Sequence, residues 1–406
     1  MKKVFALLLI IPAILCCKKN NSTNGGDENL EGEAYAAAAT WVKDGSSVLV
    51  TNPNVEKFLT EVTYPDKNWS ETRIYDYYGG FNGKKYDKDG NEDPIYGEVV
   101  KSPKSDKPEE FSIRWAKNMD AGELTFHMEE GDWKFDKTLI KGTCYINITN
   151  LVPNTHYTYT VTGEDGKLVR RGDFYTTGHL HQVFFQKGCR NGRDLGGWET
   201  VDGKMVKYRM VYRGGRMQAE TVSAKTGKAE ILAEGIRAQL DLRGTSDVLS
   251  APVFEELAFC APVIESGGKT MLVDNAPKTK QCFEFIVNCL RENKPVYFHC
   301  SLGRDRTGTL AALLLGVLGV REGDISKEYE LTYFAPRGYS IALSEDYTTF
   351  QNNRTKWIYS DVAPYFWGLS TDGTFAKGVE NYLLNVAKVS QKDIDDFRSM
   401  MLIDKK

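Results

Sequence analysis

The chain has 406 residues, enough for two or three domains at about 150 residues per domain. Its hydrophobic fraction of 41% and charged fraction of 26% exclude a wholly disordered, collagen-like or coiled-coil protein. A net charge of -3 provides no positive field for nucleic acid, so no nucleic-acid partner is expected. Eight cysteines are too few for a disulfide scaffold of this length.

The N-terminus predicts a targeting segment. Lys2 and Lys3 precede an apolar run over residues 4–15, which is shorter than the ~20 residues needed to span a bilayer. Residues 1–17 end in Cys16 and Cys17 and resemble a bacterial lipoprotein signal; an uncleaved anchor helix is the alternative. We interpret Cys17 as the lipidated residue, which predicts attachment to a membrane of the bacterial cell envelope, periplasmic or surface-exposed. The polar residues 18–34 predict a flexible linker.

Residues 35–178 predict an all-β sandwich, because short β-prone runs recur between turn signals. The predicted strands cover residues 47–51, 72–78, 111–115, 124–128, 145–148, 157–162 and 169–176. Residues 151–161 resemble the tyrosine corner of fibronectin type III domains. That resemblance implies that Tyr157 bonds back to upstream backbone. A hairpin turn is expected over residues 163–166.

Residues 179–406 predict an α/β domain with a central, mostly parallel sheet, because strand-like and helical patterns alternate. Strands are expected at 210–212, 238–242 and 296–299. An amphipathic helix is expected at 281–292, and a last helix capped by Ser390 should end near Met401. The second apolar run, 310–320, is too short to span a membrane and predicts a buried helix.

The chemistry is concentrated where the apolar strand at 296–299 runs into Cys300. A five-residue loop follows, and Arg306 opens an apolar helix. Backbone N–H groups of such a loop and the helix N-terminus form a site for a phosphate dianion, to which Arg306 adds a bidentate fork. The same field favours the nucleophilic thiolate of Cys300, whose attack on phosphorus gives a cysteinyl-phosphate. The predicted phosphate-binding residues are Ser301, Leu302, Gly303, Arg304 and Thr307, with His299 bracing the loop.

Residues 299–308 resemble the signature of bacterial atypical tyrosine/lipid phosphatases, within the cysteine-dependent tyrosine phosphatase superfamily. Segments 190–197, 212–215 and 241–243 resemble further landmarks of that family, so the resemblance covers residues 179–406. It implies hydrolysis of phosphotyrosine, often with phosphoserine, phosphothreonine or phosphoinositides, without a metal or other cofactor. Arg304 replaces the family's lysine. Its charge should preserve anion binding, whereas a preference for inositol phosphates is less secure.

A general acid is needed to protonate the leaving oxygen. The resemblance implies Asp305, with Asp241 and Asp274 as rivals. Asp241 and Arg243 end a predicted central strand, where residues that support the loop are common. Arg193 and Asp194 are expected to hold the fold together. The aromatic region 325–370 predicts either a lid over the substrate ring or a helical subdomain packed on the core.

Two other functions compete with a phosphatase. One is an inactive phosphate reader or surface adhesin, which the presence of both Cys300 and Arg306 disfavours. The other is a sulfurtransferase, whose active cysteine also lies in a short anion-binding loop; the sequence around Arg306 disfavours it. Phosphorylated protein or lipid is therefore the expected substrate class.

Overall fold

The computed structural model describes residues 40–64, 85–86, 92–93, 107–185, 189–217, 225–335 and 357–405. The predicted signal, Cys17, the linker and the predicted strand at 72–78 lie outside these residues. The chain divides into two compact units. The first unit is Met1–Thr51 with Pro108–Gly178, and the second is Asn52–Lys107 with His179–Lys406.

The first unit contains two sheets. Its strands are β1 (Thr40–Trp41), β2 (Ser47–Leu49), β3 (Phe111–Arg114), β4 (Leu124–Glu130), β5 (Trp133–Leu139), β6 (Tyr145–Ile148), β7 (His156–Gly163) and β8 (Leu168–Thr177). One sheet has the order β1-β3-β6 and the other β2-β8-β7-β4-β5. All the predicted strands within the described residues are present. The sequence missed β5, an edge strand whose lysines and aspartate are typical of loops and of protected sheet edges alike.

Both sheets of this unit bury side chains in one hydrophobic core. Along β7, buried and more exposed residues alternate, which places Tyr157, Tyr159 and Val161 inside. Phe111 of one sheet packs edge-on against Phe174 of the other, with ring centroids 5.7 Å apart. The hydroxyl of Tyr157 accepts a hydrogen bond from the Val152 N–H at 3.1 Å, so the predicted bond back to upstream backbone is present.

The second unit is built on a five-stranded sheet. Its strands are β9 (Arg193–Asp194), β10 (Lys204–Val206), β11 (Val211–Gly214), β12 (Ala238–Asp241), β13 (Ala258–Cys260), β14 (Val296–His299) and β15 (Leu402–Asp404). The order is β9-β11-β14-β12-β13, with β10 and β15 forming a separate pair. Strands β11, β14, β12 and β13 run parallel and β9 antiparallel, which confirms a mostly parallel central sheet.

Helices pack around this sheet. They are α1 (Pro53–Glu61), α2 (Lys225–Ala233), α3 (Gly268–Val273), α4 (Ala276–Arg291), α5 (Asp305–Val317), α6 (Glu322–Glu330), α7 (Ala363–Leu369), α8 (Phe375–Asn381) and α9 (Gln391–Met401). The apolar run predicted as a buried helix forms most of α5. Helix α4 begins before residue 281, because Pro277 fits its first turn. Within the described part of the chain, every helix is too short or too polar to cross a membrane.

Helix α1 lies inside the range that the sequence assigns to the sandwich, yet it belongs to the second unit. Asn52 caps it by accepting a hydrogen bond from the Asn54 N–H at 3.0 Å, and Pro53 occupies its first turn. Its apolar face buries Val55, Phe58 and Leu59 in the same core as β14 and α5. The sequence analysis did not identify this helix, although the Asn52 cap, Pro53 and the i, i+3, i+4 spacing of its buried residues are helix signals.

Candidate active site

Cys300 ends the buried strand β14, and the loop that follows leads directly into α5. The cysteine is 3% exposed. Gly303 has a positive φ of 73°. A Cβ atom at Gly303 would lie 2.3 Å from the carbonyl carbon of Gly214, so only glycine allows the loop to pass this close to β11.

Three successive carbonyl groups of this loop accept hydrogen bonds from residues outside the loop. The Asn191 amide donates to Leu302 O at 3.2 Å and to Gly303 O at 3.1 Å, and Arg213 also donates to Gly303 O. The backbone N–H of Arg216 donates to Ser301 O at 3.3 Å. In a trans peptide the N–H points opposite to the carbonyl. The N–H groups of the next residue in each case therefore point into the loop, as an anion site requires.

A buried carboxylate organises the arginines behind the loop. Glu328 on α6 accepts from Arg193 Nε and from Arg213 Nη1, both at 2.7 Å. The side chains of Glu328 and the two arginines are 0–3% exposed. Arg193 also donates to the Asn191 side chain at 2.5 Å. The sequence analysis did not identify Glu328, because nothing in α6 distinguishes it from a surface glutamate. The available signal was the expected structural role of Arg193, since a buried arginine requires a carboxylate partner.

His299 is buried and neutral beneath the loop. Val253 N–H donates to Gln239 Oε1 at 2.9 Å, which orients the amide so that Gln239 Nε2 donates to His299 Nε2 at 3.0 Å. Since Nε2 accepts, the proton is on Nδ1, which lies 3.3 Å from Cys300 O. Burial, only partly offset by Asp241, lowers the pKa of His299 to about 4. These contacts give His299 a bracing position rather than a proton-transfer one.

Asp241 and Arg243 form a closed pair at the end of β12. Arg243 donates to both oxygens of Asp241, at 2.9 Å and 2.7 Å, and Leu249 N–H adds a bond at 3.0 Å. Burial alone would raise the pKa of Asp241, but the bonds from Arg243 and the neighbouring charges outweigh it and hold the pKa below its usual value. An ionised, completely buried carboxylate is poorly suited to donate a proton.

Arg304 lies against Asp305 in the first turn of α5. Its Nε and Nη2 donate to the two carboxylate oxygens at 2.8 Å and 2.9 Å. Arg304 is 6% exposed, whereas the Asp305 side chain is 24% exposed and reaches solvent. The remaining amino group of Arg304, Nη1, has no hydrogen-bond partner among the described residues.

The other loop side chains lie at its rim. Arg306 Nη1 donates to Ile264 O at 2.8 Å, and the Ser301 hydroxyl donates to the half-buried Asp247, which the sequence did not identify. The Thr307 hydroxyl is buried and lacks a hydrogen-bond partner in the described part of the chain. The role of Thr307 in phosphate binding therefore stays a prediction.

The remaining predicted residues lie away from the loop interior. Asp194 accepts from Gly196 N–H at 2.8 Å and contacts His181 at 3.0 Å, so with Arg193 it ties loop segments together. Asp274 is exposed at the C-terminal end of α3. Among the described residues, no group of three or more histidine, cysteine, aspartate or glutamate residues is placed to hold a metal ion.

The other described cysteines are buried. They are Cys144, Cys189, Cys260, Cys282 and Cys289. Burial raises the pKa of Cys260 and Cys289 to about 11 and that of Cys189 to about 12. These thiols are therefore poor nucleophiles at neutral pH.

The aromatic region contributes mainly to the core where the structure describes it. Tyr333, Phe334 and Phe366 are 0% exposed, and Phe366 packs on Phe375 with ring centroids 5.2 Å apart. Residues 336–356, nearly half of the expected lid at 325–370, lie outside the described residues.

A cysteine directly after a buried parallel strand, followed by a short loop and a helix with Arg306, is the arrangement that the sequence predicts for a cysteine-dependent phosphatase. Residues 185–403, more than half of the chain, match the model of the tyrosine phosphatase family, and the chain belongs to that family.

Several known proteins are similar to parts of the chain. One from Cupriavidus necator, whose name places it among tyrosine-protein phosphatases, is 30% identical over 168 residues, covering 34% of this chain and 59% of the relative. A tyrosine-protein phosphatase from Nostoc commune is 39% identical over 56 residues, 14% of this chain and 18% of the relative. The chain thus spans less than two thirds of either relative. The solved structure of OH1, a tyrosine phosphatase from the Orf virus, covers 50% of this chain and 86% of its own at 12% identity and a TM-score of 0.20.

Proposed function

We propose that this protein hydrolyses phosphate monoesters, phosphotyrosine above all, through a cysteinyl-phosphate on Cys300. The observation that carries the proposal is the loop in which Asn191, Arg213 and the Arg216 N–H hold the carbonyls outward. Inward N–H groups at the N-terminus of α5 suit a phosphate dianion next to the cysteine sulfur. Phosphoserine, phosphothreonine and phosphoinositides are further candidate substrates.

In the proposed reaction the Cys300 thiolate forms a sulfur–phosphorus bond as the bond from phosphorus to the leaving oxygen breaks. Arg306 exchanges its bond to Ile264 O for the phosphate oxygens. The partly exposed Asp305 carboxylate, paired with Arg304 in the free protein, takes up a proton from solvent when the phosphate dianion binds, and it gives that proton to the leaving oxygen. Water, deprotonated by the same carboxylate, then attacks phosphorus, and the sulfur–phosphorus bond breaks to release inorganic phosphate.

The test compares wild type with Cys300→Ser on p-nitrophenyl phosphate and on phosphotyrosine peptides. We expect hydrolysis to be abolished in the variant while inorganic phosphate still binds, because the backbone groups of the loop remain. Activity in EDTA should equal activity without it. Near-wild-type turnover by Cys300→Ser, or an activity lost in EDTA and restored by zinc or magnesium, would contradict the mechanism.

The same assay separates the competing functions. Phosphate binding by the wild type without any turnover would favour a phosphate reader, and transfer of sulfur from thiosulfate would favour a sulfurtransferase. A panel of phosphopeptides, phosphoinositides and inositol phosphates then identifies the substrate. Arg304 supports hydrolysis of simple monoesters over multiply phosphorylated rings, because most of its fork is occupied by Asp305.

We also propose that Cys17 carries lipid and anchors the protein in the bacterial cell envelope, with a fibronectin type III-like domain preceding the phosphatase domain. The signal-like residues 1–17 support the anchor, and the Tyr157–Val152 bond supports the domain type. Wild type should partition into detergent and Cys17→Ala should not, since multiple acyl chains give stable anchoring. Unchanged partitioning of the variant would reassign the anchor to Cys16 or to an uncleaved helix.

A further inference from the structure

Helix α1 is an addition to the region that matches the family. The match begins at residue 185, whereas α1 covers Pro53–Glu61. The backbone N–H of Asn52 donates to Gln182 at 2.7 Å, and the side chain of His179 contacts Glu56. The helix is thus joined at its N-terminal end to the segment that enters the catalytic sheet.

The C-terminal half of α1 and the residues after it hold α6. Lys327 Nζ donates to Leu59 O, the carbonyl of an α1 residue, at 2.9 Å. The Tyr64 hydroxyl donates to Glu330, whose side chain is buried, at the end of α6. Phe58 packs on Phe334 in the turn that follows α6, with ring centroids 5.6 Å apart.

The same stretch of α6 holds the catalytic loop. Glu328, adjacent to Lys327, binds Arg193 and Arg213, and Arg213 in turn binds the loop carbonyl of Gly303. Thr332, two residues after Glu330, accepts from the Asn191 amide at 3.1 Å. Both of these connections to the loop therefore begin within two residues of a bond to α1 or to Tyr64, which follows α1 in the chain.

Helix α1 also lies close to Asn191 and Arg193, which support the phosphate-binding loop. Val55 lines a small cavity together with Asn191, Arg193 and Phe334. That cavity has room for about one water molecule, so a shift of α1 is transmitted to these side chains by contact rather than absorbed by empty space.

We propose that α1 is a positioning element of the catalytic site, which sets the phosphate-binding loop through Lys327, Glu328 and α6. The inference rests on the proposed phosphatase function and adds that residues 179–406 alone do not form a fully competent site. The residues of α1 are not part of the phosphate-binding loop. Their effect is on the alignment of the loop N–H groups, where a displacement of about 1 Å can cost roughly 100-fold in rate.

The experiment uses the full chain with Lys327→Met and Tyr64→Phe, singly and combined. Each variant keeps the approximate size of its side chain and removes one bond to α6, from α1 itself in Lys327→Met and from a residue that follows α1 in Tyr64→Phe. Lys327→Arg restores a donor and serves as the rescue variant. Lys57→Ala is the control, because Lys57 lies on α1 but, within the described part of the chain, forms only an exposed pair with Glu61 at 3.8 Å.

The measurements are kcat/KM on p-nitrophenyl phosphate well below the unfolding temperature, calorimetric binding of inorganic phosphate, and thermal unfolding. We expect the double variant to lose roughly 10- to 100-fold in kcat/KM and to bind phosphate correspondingly more weakly. Lys327→Arg should recover most of the loss, and Lys57→Ala should match wild type. If the double variant does not fold, Lys327→Met alone decides the question.

A lower unfolding temperature with unchanged kcat/KM and phosphate affinity would overturn the proposal, since α1 would then only stabilise the fold. An equal loss in Lys57→Ala would overturn it as well. A wild-type chain that binds phosphate but hydrolyses nothing would refute the phosphatase function, and the calorimetric comparison would still decide the role of α1. A wild type that neither binds nor hydrolyses would refute both.

Discussion

Replacing Glu328 with glutamine tests the buried charge network that supports the catalytic loop. The glutamate accepts from Arg193 and Arg213 at 2.7 Å each, with its side chain 2% exposed. Glutamine keeps the shape of the glutamate side chain, but its amide NH2 cannot accept a hydrogen bond from the arginine that it faces. Both buried guanidinium groups also lose their negative partner. Removing one partner of a buried ionic network costs ~3–5 kcal/mol. At about 2–4 °C per kcal/mol for a domain of this size, the unfolding temperature should fall by roughly 6–20 °C.

The matched control is Glu380→Gln. Glu380 also joins two cations, Lys377 at 2.9 Å and Arg398 at 3.0 Å, but its side chain is 17% exposed and the two partners are 38% and 32% exposed. Solvent screens such pairs, so we expect a loss of ~1 kcal/mol or less. Thermal unfolding of both variants, followed by circular dichroism, makes the comparison. Equal shifts in the two variants would refute the argument that Glu328 neutralises a buried pair of arginines.

Three further predictions concern the loop. Gly303→Ala should lower kcat/KM by roughly 100-fold or more, because its Cβ would collide with β11. Gly319→Ala should retain activity, because Gly319 has a similar φ of 77° but open space around it. Equal activities of the two variants would contradict this prediction. Asp305→Asn should slow the hydrolysis of phenyl phosphate by ~100-fold or more and that of p-nitrophenyl phosphate much less, because p-nitrophenolate leaves without a proton. Asp241→Asn should affect the two substrates equally. The reverse pattern would make Asp241 the general acid. Since the pKa of His299 falls from 6.5 to about 4 on folding, stability should rise with pH across that window, by ~3 kcal/mol, and be lost on acidification. Urea unfolding of His299→Gln should show a shallower pH dependence, and identical slopes would exclude this assignment.

The sequence predicts those features that depend on local pattern. Short β-prone runs between turn signals located most strands of the first unit. The apolar strand before Cys300 and the apolar run after Arg306 located β14 and α5. The Ser390 cap of α9 was also predictable, and its hydroxyl accepts from Asp393 N–H at 3.1 Å. Each of these signals is complete within about fifteen residues.

The features that sequence reasoning missed depend on contacts distant in the chain. Glu328 reaches arginines more than 100 residues away, and Gln239 reaches His299 across 60 residues. Helix α1 is only nine residues long, and an isolated helix of that length is marginal in water. Pro53 and the spacing of its apolar residues are local helix signals, but its contacts with Lys327 and Phe334, more than 250 residues later, cannot be deduced from residues 53–61.

The charges behind the loop explain why an anion suits this site. Asp241 with Arg243 and Asp305 with Arg304 are neutral pairs. The triad of Arg193, Glu328 and Arg213 is different, because two buried cations share one carboxylate and leave one positive charge in excess.

The Arg213 guanidinium, which shares this positive charge, donates to the Gly303 carbonyl. It therefore lies on the opposite side of the Gly303–Arg304 peptide from the N–H that points into the loop. Arg306 adds a second positive charge at the rim, where its present partner is only a backbone carbonyl. A phosphate dianion in the loop would therefore meet two positive charges, one buried and fixed and one able to move. The fixed charge depends on α6 and through it on α1, which ties the affinity of the site for phosphate to a helix about 250 residues earlier in the chain.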